Sequence, residues 1–140
     1  YLSALKTYDI PINEDFIFTD ELLMATRAKF EKFLIAAAST AVIAASGSYC
    51  TILVLPVIAK LGLKIPDKLS LICFDDIATK DVQPDPPITC VKMPLENMGR
   101  AATSHIINSN NQILRQIFPA ELVIRKSCAA LNYKAPIPVE

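Results

Sequence analysis

The sequence predicts an α/β fold with a mainly parallel sheet flanked by helices, and three observations predict it. Residues 69–74, LSLICF, are an apolar run broken only by Ser70, the pattern of a strand buried on both faces. Asp75 and Asp76 close that run, so two carboxylates sit just past a strand end, the edge at which open α/β sheets bind ligands. Helix-like and strand-like stretches alternate along the chain, as a parallel sheet requires. A carboxylate so placed can accept two hydrogen bonds from neighbouring hydroxyls, a match to a sugar or nucleoside. The competing reading is that the two acids start a solvated turn.

The elements follow in order. Residues 1–8 read as the end of a helix, with Leu2, Leu5 and Tyr8 along one side. Pro11 ends what precedes it, and residues 16–18 are a candidate short strand. Thr19 or Asp20 can cap the next helix, with Glu21 in its first turn. That helix should run to about Ala36 with Leu23, Phe30, Phe33 and Leu34 near one face. Met24 reads from the residues alone as core filler. Residues 41–46, AVIAAS, are a second buried strand.

Ser48 can cap a helix at 49–60, from Tyr49 to Lys60, that closes at Gly62. Pro56 removes a hydrogen bond there at a cost on the order of 3 kcal/mol, so a kink near Leu53 is expected. The helix is apolar nearly all round and should be buried on more than its sheet side. Pro84, Pro86 and Pro87 make a loop before a strand at 88–92. Residues 95–108 form an amphipathic helix with Leu95, Met98, Ala102 and Ile106 on one face. A solvated loop at 109–112, a last strand at 121–125 and an irregular tail at 134–140 complete the chain.

Composition sets the outer bounds. The 140 residues suit one domain, and 52% of them are hydrophobic, which argues against disorder. Fourteen basic residues balance fourteen acidic ones, so no electrostatic footprint for nucleic acid is present. No apolar run reaches the roughly 20 residues that span a bilayer. Cys50, Cys73, Cys90 and Cys128 form no C-x-x-C pair and no zinc spacing, and read as reduced packing residues of a cytosolic protein. His105 has no companion ligand in the sequence, and Gly47, Gly62 and Gly99 are too dispersed to cradle a phosphate. No catalytic residue, metal site or cofactor is expected.

Four stretches carry a family resemblance: LGLKIPDKLS at 61–70, the run 69–76 ending in FDD, PPITCVKMPLENMGRAA at 86–102, and PAELVIRKSC at 119–128. In order and spacing they resemble the lactose-repressor/galactose-repressor (LacI/GalR) family of bacterial transcription regulators. Its patterns run IP-x-D-x-S to a strand ending in D-D, then P-x-LTTV-x-Q-P, MG-x-x-A and ELVIR-x-S. The resemblance implies the carboxyl-terminal subdomain of an effector-binding core, Rossmann-like and periplasmic-binding-protein-like (type I), present as an incomplete fragment. Residues 1–92 would be the carboxyl-terminal effector-binding subdomain. Residues 93–120 would be the hinge crossover and a helix of the otherwise missing amino-terminal subdomain, and 121–140 the last strand and tail. Residues 1–8 resemble the family's G-Y-x-x-A-L helix, which suggests a truncated start.

The resemblance also implies the site. Asp75 would accept hydrogen bonds from ligand hydroxyls, while Asp76 orders the turn. Ser46 and Ser48 flank Gly47 where the family's strand ends in A-N-D, so the acid is gone. Met93 stands where glutamine is usual, and Met24 where the cleft often has an aromatic. The cleft should therefore be less polar than usual. The helix at 49–60 lies in the family's dimer interface, which implies a homodimer.

The function implied is effector sensing and dimerisation in a cytoplasmic regulator. A small sugar-like ligand would modulate DNA binding by a head domain outside these residues, with no enzymatic activity and no membrane contact. The alternatives are a periplasmic-type sugar-binding protein of a transport system, an Mg²⁺-dependent enzyme or receiver that would need a third acid, and a dimerisation piece whose cleft has decayed.

Overall fold

The computed structural model describes residues 1–19, 26–78, 84–108, 113 and 115–130. The helix start expected around Asp20, Met24, the stretches at 79–83 and 109–112, and the tail from 131 lie outside the described residues. The elements are α1 (Leu2–Thr7), a 3-10 turn (Glu14–Phe16), α2 (Thr26–Ala37) and β1 (Ala41–Ala44). A continuous helical rod follows, made of α3 (Gly47–Tyr49), a π-helical segment (Cys50–Val54) and α4 (Leu55–Lys60). Then come β2 (Ser70–Phe74), β3 (Thr89–Lys92), α5 (Leu95–Asn108) and β4 (Glu121–Val123).

The four strands form one sheet in the order β1-β2-β3-β4. The first three are parallel, with Ala44 level with Cys73 and Cys73 with Cys90. β4 runs antiparallel to β3 and sets Val123 opposite Cys90. Alternate side chains share a face, so Ala44, Leu71, Cys73 and Cys90 point together, and all four are buried. Phe30 and Leu34 of α2 and Leu53, Val54, Val57 and Ile58 of the rod complete this core. Phe18 joins it from the amino-terminal side, its ring centroid 5.2 Å from those of Phe30 and Phe33.

Burial of β2 on both faces was the expectation, and the structure corrects it. The opposite face of the sheet carries Ile43, Phe74 and Leu122, which are 61%, 42% and 56% exposed. The helices that build the core cover one side, and among the described residues nothing comparable covers the other. A second correction concerns residues 16–18. Asn13 Oδ1 accepts from the Asp15 N–H at 3.0 Å and starts a 3-10 turn there instead of a strand. A short polar side chain that bonds its own backbone competes with strand pairing.

The rod shows how the chain handles a proline inside a helix. Pro56 has no N–H, so the carbonyl of Ile52, four residues back, lacks its usual helical donor. Arg27 Nε on α2 donates to that carbonyl at 3.1 Å. The turn before the proline is widened, with the Leu55 N–H reaching back to the Cys50 carbonyl. The expected kink near Leu53 thus takes the form of a π-helical turn over Cys50–Val54. Ser46, not Ser48, caps the rod: its hydroxyl accepts from the Tyr49 N–H at 3.3 Å. Ser46 is extended (φ −157°, ψ 161°) at the end of β1, the backbone an N-cap needs, so the helix begins two residues earlier than expected. Gly62 (φ +63°) closes the rod, with the Leu63 N–H bonded to the Ile58 carbonyl.

The segment after β4 stitches the sheet together. Ser127 is fully buried, and its hydroxyl accepts from the Thr89 N–H at 2.7 Å and donates to the Leu71 carbonyl at 2.6 Å. The Leu71 N–H in turn donates to the Ser127 carbonyl. One residue thus holds β2 to the start of β3. Ser127→Ala in the intact protein leaves the Thr89 N–H buried without its partner. It should lower the unfolding free energy by about 1–3 kcal/mol, read as a lower urea midpoint at unchanged slope.

Candidate functional site

The carboxyl edge of the sheet is shaped by two consecutive acids with different tasks. Asp75 has φ +71°, a left-handed backbone rare outside glycine, which breaks the strand alternation as β2 ends. Its N–H still donates to the Val91 carbonyl at 3.0 Å, so the turn stays tied to β3. Its carboxylate is half-buried and makes no hydrogen bond or ion pair with a described residue. The start of the rod packs against this turn. A Cβ at Gly47 would lie 3.1 Å from Ile77 Cγ2 and 3.7 Å from Asp75 Cβ, so the absence of a side chain there lets the two approach.

Asp76 is committed to the protein. Its Oδ2 lies 2.6 Å from one terminal nitrogen of Arg125, and its Oδ1 lies 2.8 Å from the other. Oδ1 also accepts the Ala78 N–H at 3.1 Å, which orders the turn. Arg125 reaches the Ile88 carbonyl at 2.8 Å, and its own N–H donates to Thr89 Oγ1 at 3.0 Å. That last bond takes the Arg125 N–H out of the ladder, and β4 ends at Val123, short of the expected 125. The Arg125 guanidinium, helped by the Ala78 N–H, holds the Asp76 carboxyl down at about 2, below its ordinary 3.8.

A cavity of about 450 Å³ opens beside this turn. Asp75, Asp76 and Ala78 form one side, and Lys92, Met93, Pro94, Leu95, Glu96 and Asn97 form the other. The second side is the exit of β3 and the first turn of α5. Of the sequence-derived candidates, Asp75 and Met93 line this cavity. Ser46 is occupied as the rod's cap, Ser48 is exposed, and neither is among the lining residues. Met24 lies outside the described residues. Lys92, Asn97 and Arg125 went unread in the sequence. Lys92 and Asn97 flank the Met93 position, so the signal was proximity to it. For Arg125 the signal was its place in the ELVIRKS stretch.

One thiol touches the clamp: Arg125 Nη1 lies 3.7 Å from Cys90 Sγ. Cys50, Cys73 and Cys90 are fully buried and Cys128 is half-buried, all four as free cysteines. The neighbouring Cys50, burial, and the charges of Asp75 and Asp76 push the Cys73 thiol far up, so it stays protonated. Among the described residues no three His, Cys, Asp or Glu side chains gather as metal ligands.

Fold and cavity together define an α/β domain with a cavity at the carboxyl edge of a mainly parallel sheet. The comparisons with known proteins agree. The family described as "Periplasmic binding protein-like domain" matches residues 4–128. The transcriptional regulator DegA of Bacillus subtilis is 37% identical over 75 residues, 51% of this chain and 22% of DegA. A transcription regulator from Lactobacillus plantarum superposes with a TM-score of 0.76 at 26% identity, over 94% of this chain and 52% of that one. The regulator CelR in complex with cellobiose gives a TM-score of 0.70 at 25% identity, over 91% and 40%. The chain belongs to the periplasmic binding protein-like domain family, and DegA and the solved structures it matches are transcription regulators. It spans about half the length of those solved structures or less, and about a fifth of DegA.

The Asp76–Arg125 pair gives a pH prediction. The depressed carboxyl stabilises the fold fully above its unfolded value near 4, and that stability is lost as pH falls toward 2. From pH 4 to pH 2 the pair should account for roughly 2 kcal/mol of the loss. Denaturant titrations of Asp76→Asn, which has no carboxyl to protonate, should show a correspondingly shallower acid slope.

Proposed function

We propose that this chain senses a small effector in the cavity at the carboxyl edge of β2 and β3, and passes its occupancy to a DNA-binding part of the regulator outside these 140 residues. The observation that carries this reading is the Asp75 carboxylate, without a partner among the described residues and half-buried on the cavity wall, held there by a left-handed backbone. The role is binding, not catalysis. The effector is sugar-like on the family's pattern, and the cellobiose bound to CelR supports that class. Balanced charge supports DNA contact by another part of the protein. A cytoplasmic setting fits that role, and no described helix is long and apolar enough to cross a membrane.

Coupling runs through α5. Its first turn is cavity wall, and the helix then leaves with Leu95, Met98, Ile106 and Ile107 exposed. A ligand that grips the wall in one setting of α5 better than in another shifts the balance between the two. The rod adds assembly: Ile52, 49% exposed, offers apolar surface for a second copy, so the regulator is a homodimer through the helix at 49–60.

Two experiments test this. Thermal-shift screening of mono- and disaccharides against the intact regulator should find a binder. Asp75→Asn should then weaken that binder at least roughly tenfold by calorimetry, about 1.4 kcal/mol, whereas unchanged affinity removes Asp75 from the site. For assembly, Ile52→Glu should move the sedimentation coefficient from dimer toward monomer at micromolar concentration, and an unshifted dimer places the interface elsewhere.

A further inference from the structure

The charges around the cavity can be sorted by who already holds them. Asp76 is held by Arg125 through both oxygens. Glu96 is held by Arg100, with Oε1 2.7 Å from one guanidinium nitrogen and 3.2 Å from another. What is left on the wall without a described ion pair is one carboxylate, Asp75, and one ammonium, Lys92, whose charge also acts on Asp76. Neither makes an ion pair or side-chain hydrogen bond with a described residue.

These two charges belong to adjacent strand ends. Phe74 is level with Val91, so the next residues on each strand are Asp75 and Lys92. Paired strands lie about 4.8 Å apart, and opposite charges so placed ordinarily meet. Here they do not. The left-handed turn at Asp75 takes it out of the strand's alternation, and no salt bridge forms between the two. The rest of the wall is largely apolar, with Ala78, Met93, Pro94 and Leu95, and offers the Asn97 amide as a further polar side chain. A ligand that presents hydroxyls alone can bond Asp75, Lys92 and Asn97 but leaves both charges unmatched. A ligand with one group of each charge finds both, through hydrogen bonds about twice as strong as neutral ones.

We propose that the cavity selects an amphoteric effector, with a protonated amine on Asp75 and a carboxylate on Lys92. This rests on the reading of the cavity as the effector site, and it narrows the sugar-like class to one carrying an amino-acid-type pair of charges.

The test is a matched series on the intact regulator by calorimetry: glucose, glucosamine, gluconate and glucosaminate, which carry neither charge, the amine, the carboxylate, and both. Glucosaminate should bind at least tenfold tighter than glucose, with the singly charged probes between. Lys92→Met should cost the carboxylate-bearing probes roughly tenfold and leave glucosamine unchanged, and Lys92→Arg should restore them. Asp75→Asn should do the converse to the amine-bearing probes. Binding of glucose as tight as glucosaminate, weakened by Asp75→Asn but not by Lys92→Met, overturns the amphoteric ligand and leaves the effector site standing. Binding indifferent to both substitutions overturns both. Failure of glucosaminate to bind at millimolar concentration overturns the inference.

Discussion

The bond between Asp76 and Arg125 fixes the part of the molecule on which the rest depends. A bidentate guanidinium–carboxylate pair is directional as well as strong. Here it joins the turn after β2 to the segment after β4, 49 residues apart in sequence. Because Arg125 also holds the Ile88 carbonyl and Thr89, the same side chain sets the start of β3 against the end of β2. With one acid of the turn committed in this way, the neighbouring acid is held in place without being consumed. Asp75 can therefore keep a charge at the cavity wall that no described residue neutralises.

That clamp also explains why the carboxyl-terminal segment belongs to the site although it lies away from the cavity. Residues 125–128 supply the guanidinium, the Ser127 hydroxyl that bridges two strands, and a backbone bond from Lys126 to Pro87. The sheet edge is thus built by three separated stretches: the strand that carries the acid, the strand that carries Lys92, and the segment that locks them in register. Its helices cover one face, and Ile43, Phe74 and Leu122 mark the other. Exposed apolar area of this kind is available to a further packing partner.

Much of this fold was readable from residues because local and tertiary preferences agree. The apolar run ending in two acids became β2 and its turn. The amphipathic stretch became α5 with the expected bounds, started by Pro94 and continued by good helix formers. What was not readable depends on partners distant in sequence. An apolar strand reads the same whether one or both of its faces are covered, so Ile72 and Phe74 gave no warning of the open face. Both Ser46 and Ser48 can cap a helix, and the choice was made by where β1 ends. Pro56 announced a disturbance but not that Arg27, 25 residues before Ile52, would serve the stranded carbonyl. Within the site, Asp75 was visible as a type of residue at a type of place. That Asp76 orders the turn was readable, yet the residue that holds it, Arg125, sat in a stretch read as strand.

The cavity's two sides differ in how they are anchored, and under the proposed reading that difference suits it to sensing. The Asp75 side is tied into the sheet by the Val91 carbonyl and lies beside the Arg125 clamp. The opposite side begins in the sheet with Lys92 of β3 and continues into the first turn of α5, a helix with no buried residue. A ligand bridging the two sides works against few competing contacts when it fixes where α5 begins. Its differential affinity for two settings of that helix is then spent on moving the helix, not on breaking a packed core. Shifting a two-state balance from 1:99 to 99:1 takes about 5.5 kcal/mol of such differential affinity. Asp75 and Lys92 stand on strand ends, so contacts to them are common to both settings of the helix and supply affinity without shifting the balance. Under the proposed reading the differential part comes from Leu95, Glu96 and Asn97, the wall residues that move with α5.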